Sequence, residues 1–363
     1  MLKNKLAKIK DILKIKKVYY DYNKKIKSII SSNNIIFNLD FEQIEKARKF
    51  WNKFDVKLNL EWHKAYSMIN NNFDPKYIPE DLFYALIIPT LGNLNLSKAY
   101  SDKNNYDSFF PLIKKPRTMI RNMNGIYYDN NYNYLKSEEV NSIFSNLEGK
   151  YVIKPTLDTS QGIGVHIIKF KFDKIYLNDE IISIKELENI YKKDFLIQEK
   201  INQNQLINDI YPYSLNSFRI ISIKYQNKVY ILSSVLRLGN HGLKIDNFTQ
   251  GGVAVGVNRN GYLNNYAVDK NFLKYYKHPY TDVEFKDVKI PNFQKAEEMV
   301  EKLHKQLYYF DLASWDLALN SKGEYVFIEV NLGGQDINMH QANNGPLFGE
   351  KTETIMQYIL NKN

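Results

Sequence analysis

An α+β protein is what the sequence predicts: a helical N-terminal region followed by a larger part rich in β-hairpins. Two observations predict it. Residues 216–238 and 314–330 each read as two strands, rich in β-branched and aromatic residues, around a short polar turn, which is antiparallel hairpin chemistry. Helical periodicity is concentrated elsewhere, at residues 1–30, Phe41–Phe54, Leu60–Asn70, 293–310 and Thr352–Leu360. The organisation expected is a helical region over residues 1–95 and a sheet-bearing domain over 96–363.

Taken in order, the chain begins with Leu2, Leu6, Ile9 and Leu13 at helical spacing, with lysine filling the other faces. Residues 1–27 hold ten Lys against Asp11 and Asp21, so this segment supplies +8 of the net +10. Two readings stand for it. One is a basic amphipathic helix lying on an anionic membrane surface or an acidic partner. The other is a surface helix whose apolar stripe packs on Trp51 or Trp62. His63 has no acid or second His at metal-ligand spacing, which makes it a packing or surface residue. Pro75, Pro79 and Pro89 punctuate the connection that follows. Ser101 reads as a helix N-cap ahead of Asp102-Lys103 and an aromatic run ending at Pro111. Residues 117–128 read as two short strands joined by Asn124-Gly125.

Residues 151–170 place the strand Tyr151–Ile153 before Lys154-Pro155, a Ser/Gly loop over Thr156–Gly164, and the strand Val165–Phe170. Backbone N–H groups of Ser160, Gly162 and Gly164 can approach polyphosphate oxygens, with Lys154 supplying charge. A plain hairpin loop fits the same residues. No GK[ST] opens a helix here, so this is not a P-loop. Phe195–Ile201 is a buried strand with a polar exit. The hairpin of Asn216–Tyr225 and Val229–Leu238 carries Arg219 and Arg237 on otherwise apolar strands, and each needs an anionic partner, a ligand phosphate or an internal carboxylate. Residues 239–256 and 333–349 are glycine-rich polar excursions of the kind that carries function.

The last hairpin, Ser314–Leu319 and Glu324–Val330 around Lys322-Gly323, concentrates the chemistry. Glu329 and Asn331 differ by two and share a sheet face, and antiparallel pairing brings Asp316 onto it. Two carboxylates and a carboxamide, all oxygen donors, would converge there with no Lys or Arg between them, a set suited to Mg²⁺ with positions left for phosphate. Two solvated edge-strand acids are the alternative.

Composition bounds the function. Without cysteine there are no disulfides, thiolate zinc sites or cysteine nucleophiles. No run of about eighteen apolar residues and no signal-type apolar segment appears, so the expectation is a cytoplasmic protein. Beyond residue 27 the charge is near +2, so nucleic acid is not an expected partner.

Lys103, Lys154 before its loop, and Asp316 with Glu329-Val330-Asn331 stand in an order and spacing that resembles the ATP-grasp superfamily. The first two lie 51 residues apart and the carboxylates 13 apart. The segments DKNNYDSFF, RTMIRNMNGIYYD, YVIKPTLDTSQGIGVHII, LRLGNHGLKIDNFTQGGVAVGV and WDLALNSKGEYVFIEVN look most like the sugar-transfer-associated branch, which includes teichuronopeptide biosynthesis proteins. The resemblance implies two α+β subdomains clasping ATP, with a lid subdomain over about residues 150–200 and two Mg²⁺ ions. It implies that Lys103 and Lys154 hold phosphates and that Ser160, Gly162 and Gly164 cover them. Glu199 and the backbone near Ile201 would meet adenine, Gln205 stands near the place of a ribose-binding acid, and Asp316, Glu329 and Asn331 hold metal. Where relatives carry Arg just before the metal Asp, this chain has Ser314, so Arg219 or Arg237 is expected to supply that charge. The activity implied is a carboxylate–amine ligase. Its substrates would be an amino acid or other amine and a small or lipid-linked sugar acid or amino sugar of a surface polysaccharide, with peripheral membrane contact through residues 1–30. A sugar kinase using Asp246 as base, and a non-catalytic nucleotide-binding scaffold, are the alternatives.

Overall fold

A computed structural model describes residues 2–32, 38–157 and 162–362, the side chains of 2–11 and 32 excepted. Two seven-stranded antiparallel sheets organise them. The first is built from β1 (Thr118–Met123), β2 (Ile126–Tyr128), β3 (Gly149–Pro155), β4 (His166–Lys171), β5 (Lys174–Leu177), β6 (Glu180–Ile182) and β7 (Phe195–Glu199), in the order 2-1-7-3-4-5-6. The second comprises β8 (Ser217–Tyr225), β9 (Lys228–Leu238), β10 (Val253–Val257), β11 (Leu263–Val268), β12 (Lys274–Tyr275), β13 (Leu312–Leu319) and β14 (Tyr325–Asn331), in the order 12-11-10-9-8-13-14. Asn124-Gly125 makes the β1–β2 turn with both residues at positive φ, as its Asn-Gly chemistry expects.

The first sheet has its own core, where Ile120, Ile153, Ile168, Phe195 and Ile197 meet Val140 and Phe144 of the helix Ser137–Asn146. The second sheet is covered on both faces. On one, Phe218, Ile220, Trp315 and Leu317 pack under the amphipathic helix Gln294–Lys305. On the other, Ile221, Ile223 and Leu312 bury against Trp51, Phe54 and Leu82 of the helical N-terminal region. The helix Phe41–Asn52 of that region starts at a capping box, Asp40 accepting from Gln43 N at 2.8 Å while Asp40 N donates to Gln43 Oε1 at 3.1 Å.

The N-terminal helix, Leu2–Ser32, divides along its length. Ile26 and Ile29 are buried beside Trp62, Tyr66 and Met339, and Lys25 holds the buried Glu80 at 2.7 Å. Earlier in the helix Ile12 and Leu13 are more than half exposed. Leu2, Leu6 and Ile9 have side chains outside the described set.

One local expectation fails. Ser101 ends the helix Leu94–Ser101 rather than opening one, and the cap belongs to Asp102, which accepts from Asn104 N at 3.0 Å at the head of a short 3₁₀ turn. Ser and Asp are both good caps, and their adjacency hides which one acts.

Candidate functional site

Strand alternation fixes one face of the second sheet. Arg219 of β8 stands opposite Asp316 of β13, which stands opposite Glu329 of β14, and Arg237 of β9 lies opposite Ser217 of β8. The hydrophobic side chains that cover this face elsewhere stop here, leaving a polar row across four strands. A β-bulge sharpens it: the partner of β13 jumps from Glu329 at Asp316 to Phe327 at Leu317, so Ile328 has no opposite residue.

Asp316 is 1 % exposed and is gripped by two arginines. Arg219 Nε and Nη2 each donate to it at 2.8 Å, one to each carboxylate oxygen, and Arg237 Nη2 donates to Oδ2 at 2.9 Å. Burial alone would raise its pKa, but the two guanidiniums outweigh that and hold the carboxyl well below the usual carboxylate range. The expectation that no Lys or Arg stands among the three oxygen donors is therefore corrected. Both arginines come from strands distant in sequence, and Lys103 reaches Glu329 at 3.2 Å. Asn331 completes the set with its amide 3.5 Å from Asp316 Oδ2.

These residues still fit a hard cation. Asp316 Oδ2 is crowded by donors, whereas among the described residues Oδ1 takes only the Arg219 Nε hydrogen bond and keeps one acceptor direction. Glu329 is partly exposed, and among the described residues it pairs with Lys103 alone. Glu329, Asp316 Oδ1 and the Asn331 carboxamide are all oxygen donors suited to Mg²⁺.

Across the cleft the first sheet presents Lys154, at the end of β3. It is 5 % exposed and makes no ion pair among the described residues. Burial, and then repulsion by Lys103, lowers its pKa to about 7. The space between Lys103, Lys154, Gln198 and Leu196 on one side and Phe327 and Ile328 on the other is only ≈ 20 Å³. That volume does not admit a nucleotide. The segment after β7 is where the two sheets join: Ser321 N donates to Asn202 O at 2.7 Å and Asn204 N to Leu319 O at 2.9 Å, tying the strand exit to the β13–β14 turn.

The other predicted residues scatter. Gly162 and Gly164 have φ of +73° and +77°, and a Cβ on Gly164 would sit 2.8 Å from Pro155. A Cβ on Gly162 would approach Ile245 of the 239–256 excursion at 3.3 Å, so the two loops meet. Ser160 lies outside the described residues. Glu199 ends β7 half exposed, 3.8 Å from Arg117, and Ile201 follows it half-buried. Gln205 is not brought to the cleft. It opens the helix Gln205–Ile210, is exposed, and donates to Asp209 at 2.6 Å.

Two acids complete the row. Asp246 accepts from Ser217 N at 3.0 Å and lies 3.3 Å from Arg237, with burial raising its pKa. Sequence reasoning missed Asp336, which pairs with Arg219 Nη1 at 3.2 Å from a backbone at φ +52°. Its only sequence signal is its place in the glycine-rich stretch after Asn331. Asn338, two residues on, donates to the buried Glu80 at 2.8 Å and accepts from Tyr66 at 2.6 Å, which joins this loop to the N-terminal helices.

The profile of the sugar-transfer associated ATP-grasp family matches residues 95–357. Among curated proteins none matches the sequence. Solved structures similar to the chain include N5-carboxyaminoimidazole synthetase from Staphylococcus aureus complexed with ADP, at 9 % identity and TM-score 0.39, covering 66 % of this chain and 46 % of that one. An L-amino acid ligase from Bacillus licheniformis matches at 16 % identity and TM-score 0.38, covering 72 % and 46 %. D-alanyl-alanine synthetase A from Vibrio cholerae matches at 11 % identity and TM-score 0.40, covering 75 % and 66 %. The chain thus spans about half the length of the first two. Likeness at this level carries nothing about substrates.

Proposed function

The chain belongs to the sugar-transfer associated ATP-grasp family, and on that premise we propose that it is an ATP- and Mg²⁺-dependent carboxylate–amine ligase. One observation carries the reading: a continuous row from the unpaired Lys154 through Lys103 and Glu329 to Asp316, with two arginines behind it, lies where two sheets face each other. A lysine with no ion pair among the described residues, beside oxygen donors, is complementary to a metal-bound polyphosphate.

Mg²⁺ on Asp316, Glu329 and Asn331, two ions by the family's pattern, would neutralise phosphate charge. Lys154 and Lys103 position the triphosphate, under the loop that holds Gly162 and Gly164 and also contains Ser160, with adenine toward Glu199 and Ile201. A substrate carboxylate attacks the γ-phosphorus in line, the bond to the β-phosphate oxygen breaks, and ADP leaves an acylphosphate. The amine then adds to the acyl carbon, loses a proton and expels phosphate. No protein nucleophile is required, and the chain contributes placement and charge. Arg237 Nη1 makes no hydrogen bond among the described residues and is the donor assigned to the acylphosphate. Asp246 is engaged by Ser217 and Arg237, which counts against its use as a kinase base.

The substrates we assign are an amino acid and a sugar acid or amino sugar of a surface polysaccharide, free or lipid-linked, joined at the cytoplasmic membrane face. No helix among the described residues is long and apolar enough to cross a membrane. The exposed Ile12 and Leu13 among lysines support surface contact.

Hydroxylamine trapping tests the reaction class. A hydroxamate formed with ADP release in the presence of a sugar acid or amino acid is the expected product. A phosphorylated sugar would make the protein a kinase, and neither product would make it a scaffold. Vesicle co-sedimentation of the full chain against one lacking residues 1–17 tests the membrane contact. That truncation spares Lys25, Ile26 and Ile29, and equal binding to anionic vesicles would end the idea.

A further inference from the structure

A second cleft, ≈ 620 Å³, opens at the far edge of the second sheet, where β11 and β12 meet the helix Ile337–Asn344. Its volume is in the range of small-molecule sites, roughly 300–1,000 Å³. β11 is four strands from β13 in the sheet order. At about 4.8 Å per strand that places the cleft roughly 19 Å across the sheet from the strand of Asp316.

Its floor is fixed. The Asn343 amide donates to Ala254 O at 3.1 Å and Met339 O at 2.7 Å and accepts from Gly256 N at 3.1 Å. Asn264 donates to Asn343 O at 2.6 Å, and Tyr266 Oη donates to Ala342 O at 3.2 Å. Around this floor stand Asn258, Asn265 and two exposed phenols, Tyr262 at 41 % and Tyr276 at 63 %. One Lys and one Asp line the cleft, so their charges cancel, and the Lys274 ammonium rests 4.5 Å over the Tyr266 ring.

We infer that this cleft binds a neutral saccharide. A polyphosphate or a polyanion would require an excess of cations that the lining lacks. An apolar ligand would require an aliphatic wall, and Leu263 is the sole aliphatic in the lining. The Asn343 and Asn70 carboxamides are spent on the fold, but those of Asn71 and Asn265, which make no side-chain hydrogen bond among the described residues, each offer two donors and two acceptor lone pairs that match vicinal hydroxyls. Phenol rings present a flat apolar face with a polar tip, which suits the C–H face of a pyranose. The site does not depend on the ligase reading. It would hold a sugar at a distance from the nucleotide, as an anchor for a longer glycan.

Saturation-transfer NMR on the full chain tests this, with maltotriose, lactose and N,N′-diacetylchitobiose as probes and inorganic phosphate as the anionic control. Expected is transfer to at least one saccharide, weakened at least tenfold by Tyr276→Ala or Tyr262→Ala and unchanged by Tyr308→Ala, an exposed phenol outside this cleft's lining. Tyr262 and Tyr276 are exposed, so melting temperatures should match the wild type and confirm that the variants fold. No transfer with any of the three sugars, or transfer indifferent to both cleft variants, overturns the assignment.

Discussion

The two sheets meet at one cleft with opposite electrostatic arrangements. The second sheet neutralises itself, for Asp316 is buried but has two arginines, and Arg219 and Arg237 have second acids in Asp336 and Asp246. The first sheet leaves Lys154 buried with no ion-pair partner among the described residues and its charge suppressed. A self-satisfied cluster stabilises the fold, whereas an unsatisfied cation costs stability and gains it back when an anion arrives. A self-compensated charge cluster and a buried, unpaired lysine thus face each other across the cleft.

The sharpest way to break that contrast is Asp316→Ala. Read as a metal ligand alone, the residue should be removable with little loss of fold. The structure predicts the reverse, because removal leaves each of two buried guanidiniums with only its longer pair, to Asp336 or to Asp246, at a cost approaching about 3–5 kcal/mol. Chemical denaturation checks it, and a midpoint like the wild type's would show that the arginines relax to solvent. The same residue sets an acid limit. Its folded pKa is depressed, so its contribution is complete above the unfolded value near 4 and is lost as pH falls below it.

Lys154→Met should act in the opposite direction, raising the melting temperature at pH 7 while lowering nucleotide affinity. Because the folded pKa of about 7 lies below the unfolded value near 10.4, the unfolded chain binds more protons between them. Wild-type stability should therefore rise with pH across that window, and the variant should lose that part of the slope. Identical slopes would mean that Lys154 is charged and solvated in the fold.

Nucleotide binding should restore the Lys154 charge and take up a proton. Calorimetry at pH 8 in two buffers of different ionisation enthalpy should show uptake approaching one proton per ADP, and less at pH 6.5. The smallest effect belongs to Gln205→Ala, for which ADP affinity should change less than twofold, since the side chain bonds Asp209 away from the cleft. A tenfold loss would bring it back as a ribose contact.

How much was legible follows the range of the interaction. The facing of Asp316, Glu329 and Asn331 follows from period-two alternation within one hairpin, and the Asn124-Gly125 turn from local chemistry. The Arg219–Asp316 pair joins residues 97 apart through the β8–β13 pairing, which no local pattern encodes. The arginines were visible as charges needing anions, but their partners were not. The bulge at Ile328 and the burial of Lys154 depend on how two sheets approach. The ending of the N-terminal stripe was equally hidden, because Ile26 and Ile29 dock through Trp62 whereas Leu13 remains exposed on the same helix.

The contrast between the two sheets is tested most directly by titrating ADP, with and without Mg²⁺, into the wild type and Lys154→Met by calorimetry. The account predicts Mg²⁺-strengthened binding to the wild type, and binding to a fully folded Lys154→Met weakened at least tenfold, about 1.4 kcal/mol. Equal affinity in the two proteins would contradict it.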